Sequence, residues 1–108
     1  MRIQQGTVTK NFWAEKNYTT RADQTEVTFT TPFKERPYIM LSLEKIDEGQ
    51  FIEESVFTKD NQKIYHTVNR VSISAQNISN TGFILNVETW NFNIIYGYRI
   101  TWTAISED

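Results

Sequence analysis

The sequence predicts an all-β protein, a six-stranded antiparallel β-sandwich formed by one domain over residues 1–108. Apolar and polar residues alternate along several stretches with the period of two that strands require, and no stretch shows helical periodicity. No repeat, low-complexity tract or linker divides the chain. There is no cysteine, so packing alone must hold the domain together.

Three strands are predicted in the first half of the chain, at residues 3–8, 26–30 and 38–46. The second and third carry their apolar residues at alternate positions, which places those residues on one face. These residues are Val27 and Phe29 in the second strand, and Ile39, Leu41 and Leu43 in the third. Pro32 and Pro37 bracket the turn between these two strands.

Three further strands are predicted at residues 67–77, 82–90 and 95–105. The last two form a hairpin across a short polar and aromatic turn. The alternating apolar residues of all three strands would complete the inner faces of the sandwich. These residues are Val71, Ile73 and Ala75, then Phe83, Leu85 and Val87, then Ile100, Trp102 and Ala104.

Residues 49–67 interrupt this pattern. The stretch is charged, alternates weakly and carries Phe51, Phe57 and Tyr65. Two interpretations are open: an extended hairpin or loop inserted into the sandwich, which we favour, or an ordered lid over a site. Its histidine, His66, is interpreted as a solvated or interface residue, because one imidazole without cysteine or clustered carboxylates is poor evidence for a metal site.

The composition argues against several kinds of partner. The net charge of −2, with both signs interspersed, lacks the basic footprint of a nucleic-acid-binding protein. No apolar stretch approaches the ~18 residues of a membrane-spanning helix, and no apolar run follows the N-terminal arginine, so we expect neither membrane insertion nor a signal peptide. No glycine-rich phosphate loop or EF-hand pattern is present, so no cofactor is expected.

The sequence offers no catalytic arrangement. Nucleophilic catalysis requires a base beside the nucleophile, and His66 has no elbow motif near it. Glycoside hydrolysis requires two carboxylates across the scissile bond, and no pair stands out by its spacing among Glu53, Glu54, Asp60 and Glu88. The sequence therefore predicts a binding or assembly role rather than an enzyme.

Trp90 is the residue that the core pattern does not explain. In the stretch TGFILNVETW it shares a face with Asn86 and Glu88, opposite the core face. Three interpretations are open: a cap folded over the core, a contact in a subunit interface, or an aromatic platform for a ligand. Tyr96 lies across the following turn, and an aromatic ring with nearby amides and a phenol forms a saccharide-like constellation.

The run TGFILNVETWNFNIIYGYRITWTAI, residues 81–105, resembles the signature of the H-type lectin domain, found in snail agglutinins and at the C-terminus of slime-mould discoidins. The shared pattern is a Gly-Phe strand, a Thr-Trp pair, a short turn, a tyrosine and a closing strand with Thr-Trp. Further matches are Gln5-Gly6, Trp13 and the stretches at 27–33, 36–47 and 69–79. The resemblance covers the whole chain except the irregular stretch.

The resemblance implies a fold, an assembly and a ligand class. H-type lectins are trimers of six-stranded sandwiches that bind galactose or N-acetylgalactosamine where neighbouring subunits meet, with no catalytic group. The implied partners are therefore a saccharide or glycoconjugate and further copies of the chain, as a homotrimer or a dimer of trimers. Tyr38, Met40 and Ser42, the outward residues of the third strand, would line the threefold interface or form ordinary surface.

The same resemblance implies a set of sugar-binding residues. The family's binding tryptophan falls on Trp90, its binding tyrosine on Tyr96 and its binding arginine on Arg70. The position after the tryptophan, commonly histidine in these lectins, is Asn91 here. The nearest candidate for the family's binding aspartate is Asp23.

A second function of a different class is also open. The chain could be a structural trimerisation or adhesion module of a phage tail or bacterial surface protein that kept the fold and lost sugar binding. The asparagine at position 91 and the absence of cysteine leave room for this interpretation. Without cysteine the compartment stays open, and the two functions together suggest an extracellular, cell-surface or virion-associated protein.

Overall fold

The computed structural model of the protein describes residues 1–12, 22–50, 69–90 and 93–107. Over these ranges the chain forms six strands, which are β1 (Arg2–Asn11), β2 (Ala22–Thr28), β3 (Tyr38–Gln50), β4 (Ser72–Gln76), β5 (Gly82–Glu88) and β6 (Asn93–Ser106). All pairings are antiparallel, in two sheets with the strand orders β1-β6-β3 and β2-β5-β4. The predicted all-β fold with six antiparallel strands is confirmed. Within these ranges no helix is long and apolar enough to cross a bilayer.

Several strand ends differ from the prediction. β3 continues beyond Ile46 to Gln50, so it includes the first two residues of the stretch 49–67. Apolar alternation does not reveal this extension because the β3 residues in it, Asp47 to Gln50, are polar or glycine and pair with β6 through the backbone. β4 is shorter than predicted, beginning at Ser72. The rest of the predicted insertion, residues 51–67, lies outside the described part of the chain.

The core lies between the two sheets. The central strands β5 and β6 contribute its fully buried residues, including Leu85, Val87, Ile100 and Ala104 at 0% exposure. The edge strands β3 and β4, with Val71 just before β4, contribute partly buried residues that pack against this core, including Ile39, Leu41, Leu43, Ile73 and Ala75. The difference follows from position, because a central strand is covered by neighbours on both sides and an edge strand on one.

An aromatic cluster fills one end of the core. The rings of Phe29 and Phe33 meet edge to face with centroids 5.0 Å apart, and the rings of Phe83 and Trp102 with centroids 5.7 Å apart. Trp102 also lies over Gly6, its neighbour on β1, where a Cβ atom would come within 2.6 Å of the indole ring. Residue 6 must therefore be glycine if the indole is to keep this place.

A hydrogen bond joins the two sheets near the other end of the core. Tyr98 of β6 is 1% exposed, and its hydroxyl donates to a carboxylate oxygen of Asp23 on β2 at 2.5 Å. The hydroxyl also lies 3.4 Å from that of Thr25. Burial raises the pKa of Tyr98, and the hydrogen bond to Asp23 raises this pKa further. The neutral phenol is thus the form that the fold stabilises.

We expect the substitution Tyr98→Phe to lower the free energy of unfolding by about 1.5 kcal/mol, because it removes a hydrogen bond to a charged acceptor. The wild-type protein should also lose stability as the pH rises above about 10, the ordinary pKa of tyrosine, because the unfolded chain then releases a proton that the folded chain retains. Urea unfolding at pH 8 and pH 11 measures both effects. A variant with the same stability and the same alkaline loss as wild type would contradict this role for Tyr98.

Candidate functional site

Trp90 lies just beyond β5, the central strand of its sheet, at one end of the sandwich. Its side chain is 48% exposed and does not belong to the buried core. This exposure argues against a cap folded over the core. The indole is left as a half-exposed apolar surface, which suits a subunit contact or a ligand.

Arg70 is held in place at the same end of the sandwich. Its guanidinium donates through Nη1 to Oδ1 of Asn93 at 3.0 Å. Its backbone carbonyl accepts a hydrogen bond from the hydroxyl of Thr89, which is buried. The backbone N–H of Asn93 in turn donates to the carbonyl of Trp90 at 3.3 Å. Arg70 is therefore hydrogen-bonded to Thr89 and Asn93, which lie on either side of Trp90 along the chain.

The hydrogen-bonded chain continues from Asn93 to β3. Asn93 is 1% exposed, and its Nδ2 donates to Oε2 of Glu48 at 3.2 Å. The other carboxylate oxygen of Glu48 is buried and has no hydrogen-bond partner among the described residues. An arginine that precedes β4 is thus connected, through an amide on β6, to a carboxylate on β3 in the opposite sheet.

A β-bulge brings Glu48 to this position. Leu43 packs against the core from an odd-numbered position of β3, whereas Ile46 does so from an even-numbered one. The pairing with β6 shifts register between Leu43 and Lys45, which makes Glu44 the extra residue. One extra residue exchanges the two faces of a strand. Glu48 therefore lies on the same face as Ile46, where the side chain of Asn93 meets it.

Tyr96 lies in a second bulge, where the pairing of β6 with β3 skips one residue. Its ring packs directly against Gly49. A Cβ atom at position 49 would lie only 2.5 Å from the ring carbon Cε2. Its carbonyl accepts a hydrogen bond from the N–H of Phe12 at 2.8 Å. Bulges commonly re-aim a side chain next to a binding site, and glycine at position 49 leaves the room that this ring occupies.

The structure treats the five predicted site residues differently. Trp90, Arg70 and Tyr96 lie near the start of β6, where they are exposed or half-buried. Asp23 points between the sheets, where it accepts the hydrogen bond from Tyr98. Asn91 lies outside the described residues. The binding roles of all five stay predictions, and the structure gives Asp23 a role in the fold as well.

Two polar residues of this site, Glu48 and Asn93, are absent from the sequence prediction. The sequence pattern places Asn93 in the turn before the last strand, whereas β6 begins at this residue. A signal for Glu48 does exist in the sequence. The apolar residue at position 46 breaks the odd-numbered pattern of the preceding residues, which indicates a bulge and moves position 48 to the inner face.

The site offers an apolar ring, fixed hydrogen-bond donors and acceptors. No group of three histidine, cysteine, aspartate or glutamate side chains in the described part of the chain could hold a metal ion. A half-exposed ring can stack on the apolar face of a ligand, and a guanidinium at the same end of the sandwich can donate to the ligand's oxygen atoms. This arrangement is suited to a polar organic ligand with one apolar face.

The family model of the H-type lectin domain matches residues 24–105. The chain belongs to the H-type lectin domain family. An H-type lectin domain is a non-enzymatic carbohydrate-binding module. The residues matched by the family model include Arg70, Trp90 and Tyr96. No curated protein matches this H-type lectin domain.

Solved structures share the fold of this H-type lectin domain. Wild-type discoidin II from Dictyostelium discoideum matches with a TM-score of 0.71 and 21% identity, over 99% of this chain and 37% of that one. The native structure of recombinant discoidin II matches with a TM-score of 0.68 and 22% identity, over 95% and 36%. The tailspike gp61 of Pseudomonas phage phi297 matches with a TM-score of 0.53 and 10% identity, over 94% and 15%. The chain spans about a third of the length of the discoidin II chains.

Proposed function

We propose that this H-type lectin domain binds sugars of the galactose and N-acetylgalactosamine type through Trp90, Tyr96 and Arg70, with Asn91 and Asp23 as further contacts. The observation that carries the proposal is the half-exposed Trp90 at the end of the sandwich where Arg70 is hydrogen-bonded to Asn93 and Thr89. A galactose ring has an apolar face that an indole can cover. Its hydroxyls can accept from the guanidinium, which only donates.

We further propose that the binding sites lie at the subunit junctions of a trimer. The proposal is supported by an apolar patch on the outer face of the β1-β6-β3 sheet. Tyr38, Met40 and Ile3 are 78%, 60% and 52% exposed there, and Ile3 and Tyr38 both pair with Ile105 of β6. A contiguous apolar patch of this kind is typical of an interface. Several weak sites on one assembly would bind a glycan-bearing surface more strongly than one site.

The assembly is tested by light scattering at micromolar concentration, where we expect a mass three times the 12.7 kDa of one chain, or six times for a dimer of trimers. The double substitution Tyr38→Lys and Met40→Lys should yield a folded monomer, because two buried ammonium groups would oppose association. The matched control is Thr28→Lys with Gln76→Lys, two exposed positions on the other sheet, and it should leave the assembly intact. A monomeric wild-type protein would contradict the proposed junction.

A second candidate function is a structural trimerisation or adhesion module with little or no sugar binding. The fold that the chain shares with the phage tailspike favours this function. The low sequence identity to the tailspike makes this support weaker than the support for the lectin proposal. A glycan array separates the two functions. The lectin proposal expects retention on glycans that end in galactose or N-acetylgalactosamine and not on those that end in glucose. A trimer that binds no glycan would overturn the lectin proposal and favour the structural module.

A further inference from the structure

Glu48 places a partly buried carboxylate at the candidate site, and neither the lectin resemblance nor the proposed function assigns it a role. One of its oxygens accepts from Asn93, and the other is buried without a partner among the described residues. A buried polar atom without a partner costs folding free energy. No hydrogen bond to Oε1 of Glu48 among the described residues offsets this cost. The hydrogen bond that Glu48 does make, with Asn93, therefore points to a role for this carboxylate other than stability.

We propose that Glu48 is a positioning residue, which acts through the side-chain amide of Asn93 to fix the guanidinium of Arg70 in the orientation that contacts the ligand. The ligand contact rests on the proposed function, whereas the positioning of Arg70 does not. Glu48 itself does not touch the ligand in this account.

The direction of the two hydrogen bonds supports the proposal. The guanidinium of Arg70 can only donate, and an ionised carboxylate at Glu48 can only accept. The amide of Asn93 can do either, so these two neighbours favour one of its two orientations. With Nδ2 towards Glu48, the carbonyl oxygen Oδ1 must face Arg70, as it does at 3.0 Å. Without the carboxylate, the amide loses the acceptor that favours this orientation, and an NH2 group turned towards the guanidinium would set two donors against each other.

The electrostatic effect acts in the same direction. The negative charge of Glu48 polarises the amide, which makes the carbonyl oxygen of Asn93 a stronger acceptor for the positive guanidinium. Asn93 is 1% exposed, so water competes little for its polar atoms. The bulge at Glu44 is the backbone feature that brings the carboxylate to the inner face. Glu48, on β3, thus acts on Arg70 through a single intervening amide group, that of Asn93.

The test compares four variants with the wild-type protein. Glu48→Leu removes the acceptor and keeps the side chain close in size. Asn93→Asp supplies two carboxylate oxygens in place of the amide, so it can hold Arg70 in either orientation, although it then faces the carboxylate of Glu48. The double variant combines both changes. The matched control is Glu26→Leu, which removes an exposed carboxylate from the outer face of the other sheet.

Affinity for N-acetylgalactosamine is measured for each protein by calorimetric titration. Glu48→Leu should weaken binding about tenfold, the loss expected when a hydrogen bond to a charged group becomes misdirected. The double variant should recover to within about threefold of wild type, because the aspartate accepts from Arg70 without help. Glu26→Leu should bind as wild type does. Wild-type affinity in Glu48→Leu, or a double variant no better than Glu48→Leu alone, would overturn the proposal.

A second measurement keeps the test independent of the ligand. Nitrogen-15 NMR reports the rotation of the Arg70 guanidinium in the protein without sugar. Rotation should be slow in wild type and in the double variant and fast in Glu48→Leu. If no sugar binds to the wild-type protein, the proposed function fails, and the rotation rates alone decide the positioning role. Equal rates in all three proteins would overturn it.

Discussion

Replacement of Trp102 by alanine is expected to lower the free energy of unfolding by about 3–5 kcal/mol, the usual cost of removing a buried aromatic side chain. Trp102 is 7% exposed and contacts the rings of Phe29 and Phe83 with centroids 5.8 and 5.7 Å away. Gly6 leaves no side chain that could move into the vacated space. The loss is large beside the total stability of about 5–15 kcal/mol typical of a domain. Urea unfolding measures it directly.

Trp102→Phe is the matched control for this change. It keeps an aromatic ring in contact with Phe29 and Phe83, so it should cost clearly less than the alanine variant. Gly6→Ala should destabilise the protein through the same indole, because the added methyl group would overlap it. If the free energy of unfolding of Trp102→Ala lies within about 1 kcal/mol of the wild-type value, the aromatic cluster does not stabilise the sandwich as described.

The substitution Trp90→Ala is expected to have the opposite profile: binding to N-acetylgalactosamine falls at least about 30-fold, whereas the fold is retained. The binding loss is that of an aromatic anchor worth about 2 kcal/mol or more. Stability should change little, because the indole is 48% exposed and lies outside the core. Calorimetric titration measures the first quantity and urea unfolding the second.

Trp90→Phe is the control for the ring itself. A smaller aromatic ring should preserve part of the affinity, because stacking needs a flat apolar surface more than it needs the indole N–H. A Trp90→Ala variant that unfolds would show that this side chain belongs to the fold. A folded variant with wild-type affinity would show that the sugar lies elsewhere, and the site assignment would be wrong.

The core was predictable from the sequence because each central strand has to bury one face. Phe83, Leu85 and Val87 alternate without interruption, and their strand is covered on both sides by β2 and β4. For such a strand the period of two specifies which residues face inward. The same reasoning placed Trp90 opposite the core face, where its side chain is found to be half-exposed.

The polar part of the site was not predictable in this way because it depends on two bulges. The bulge at Glu44 moves Glu48 to the inner face, and the bulge at Tyr96 sets its ring against Gly49. Simple alternation assigns the wrong face to every residue beyond such an insertion. The partner of Asp23 could not be found either, because Tyr98 is far from it in sequence and reaches it only across the two sheets.

NMR titration of the indole N–H signals tests the proposal that sugar binds at the end of the sandwich where Trp90 and Arg70 lie. The chain has three tryptophans, so the spectrum shows each indole separately, and Trp90→Phe identifies the signal of Trp90. Galactose or N-acetylgalactosamine is added to about 50 mM, enough to fill a site of millimolar affinity. The account predicts that the signals of the Trp90 indole and the Arg70 guanidinium shift and saturate together, while that of the buried Trp102 stays in place. A Trp90 signal that does not move, or a sugar-dependent shift confined to other residues, would contradict it.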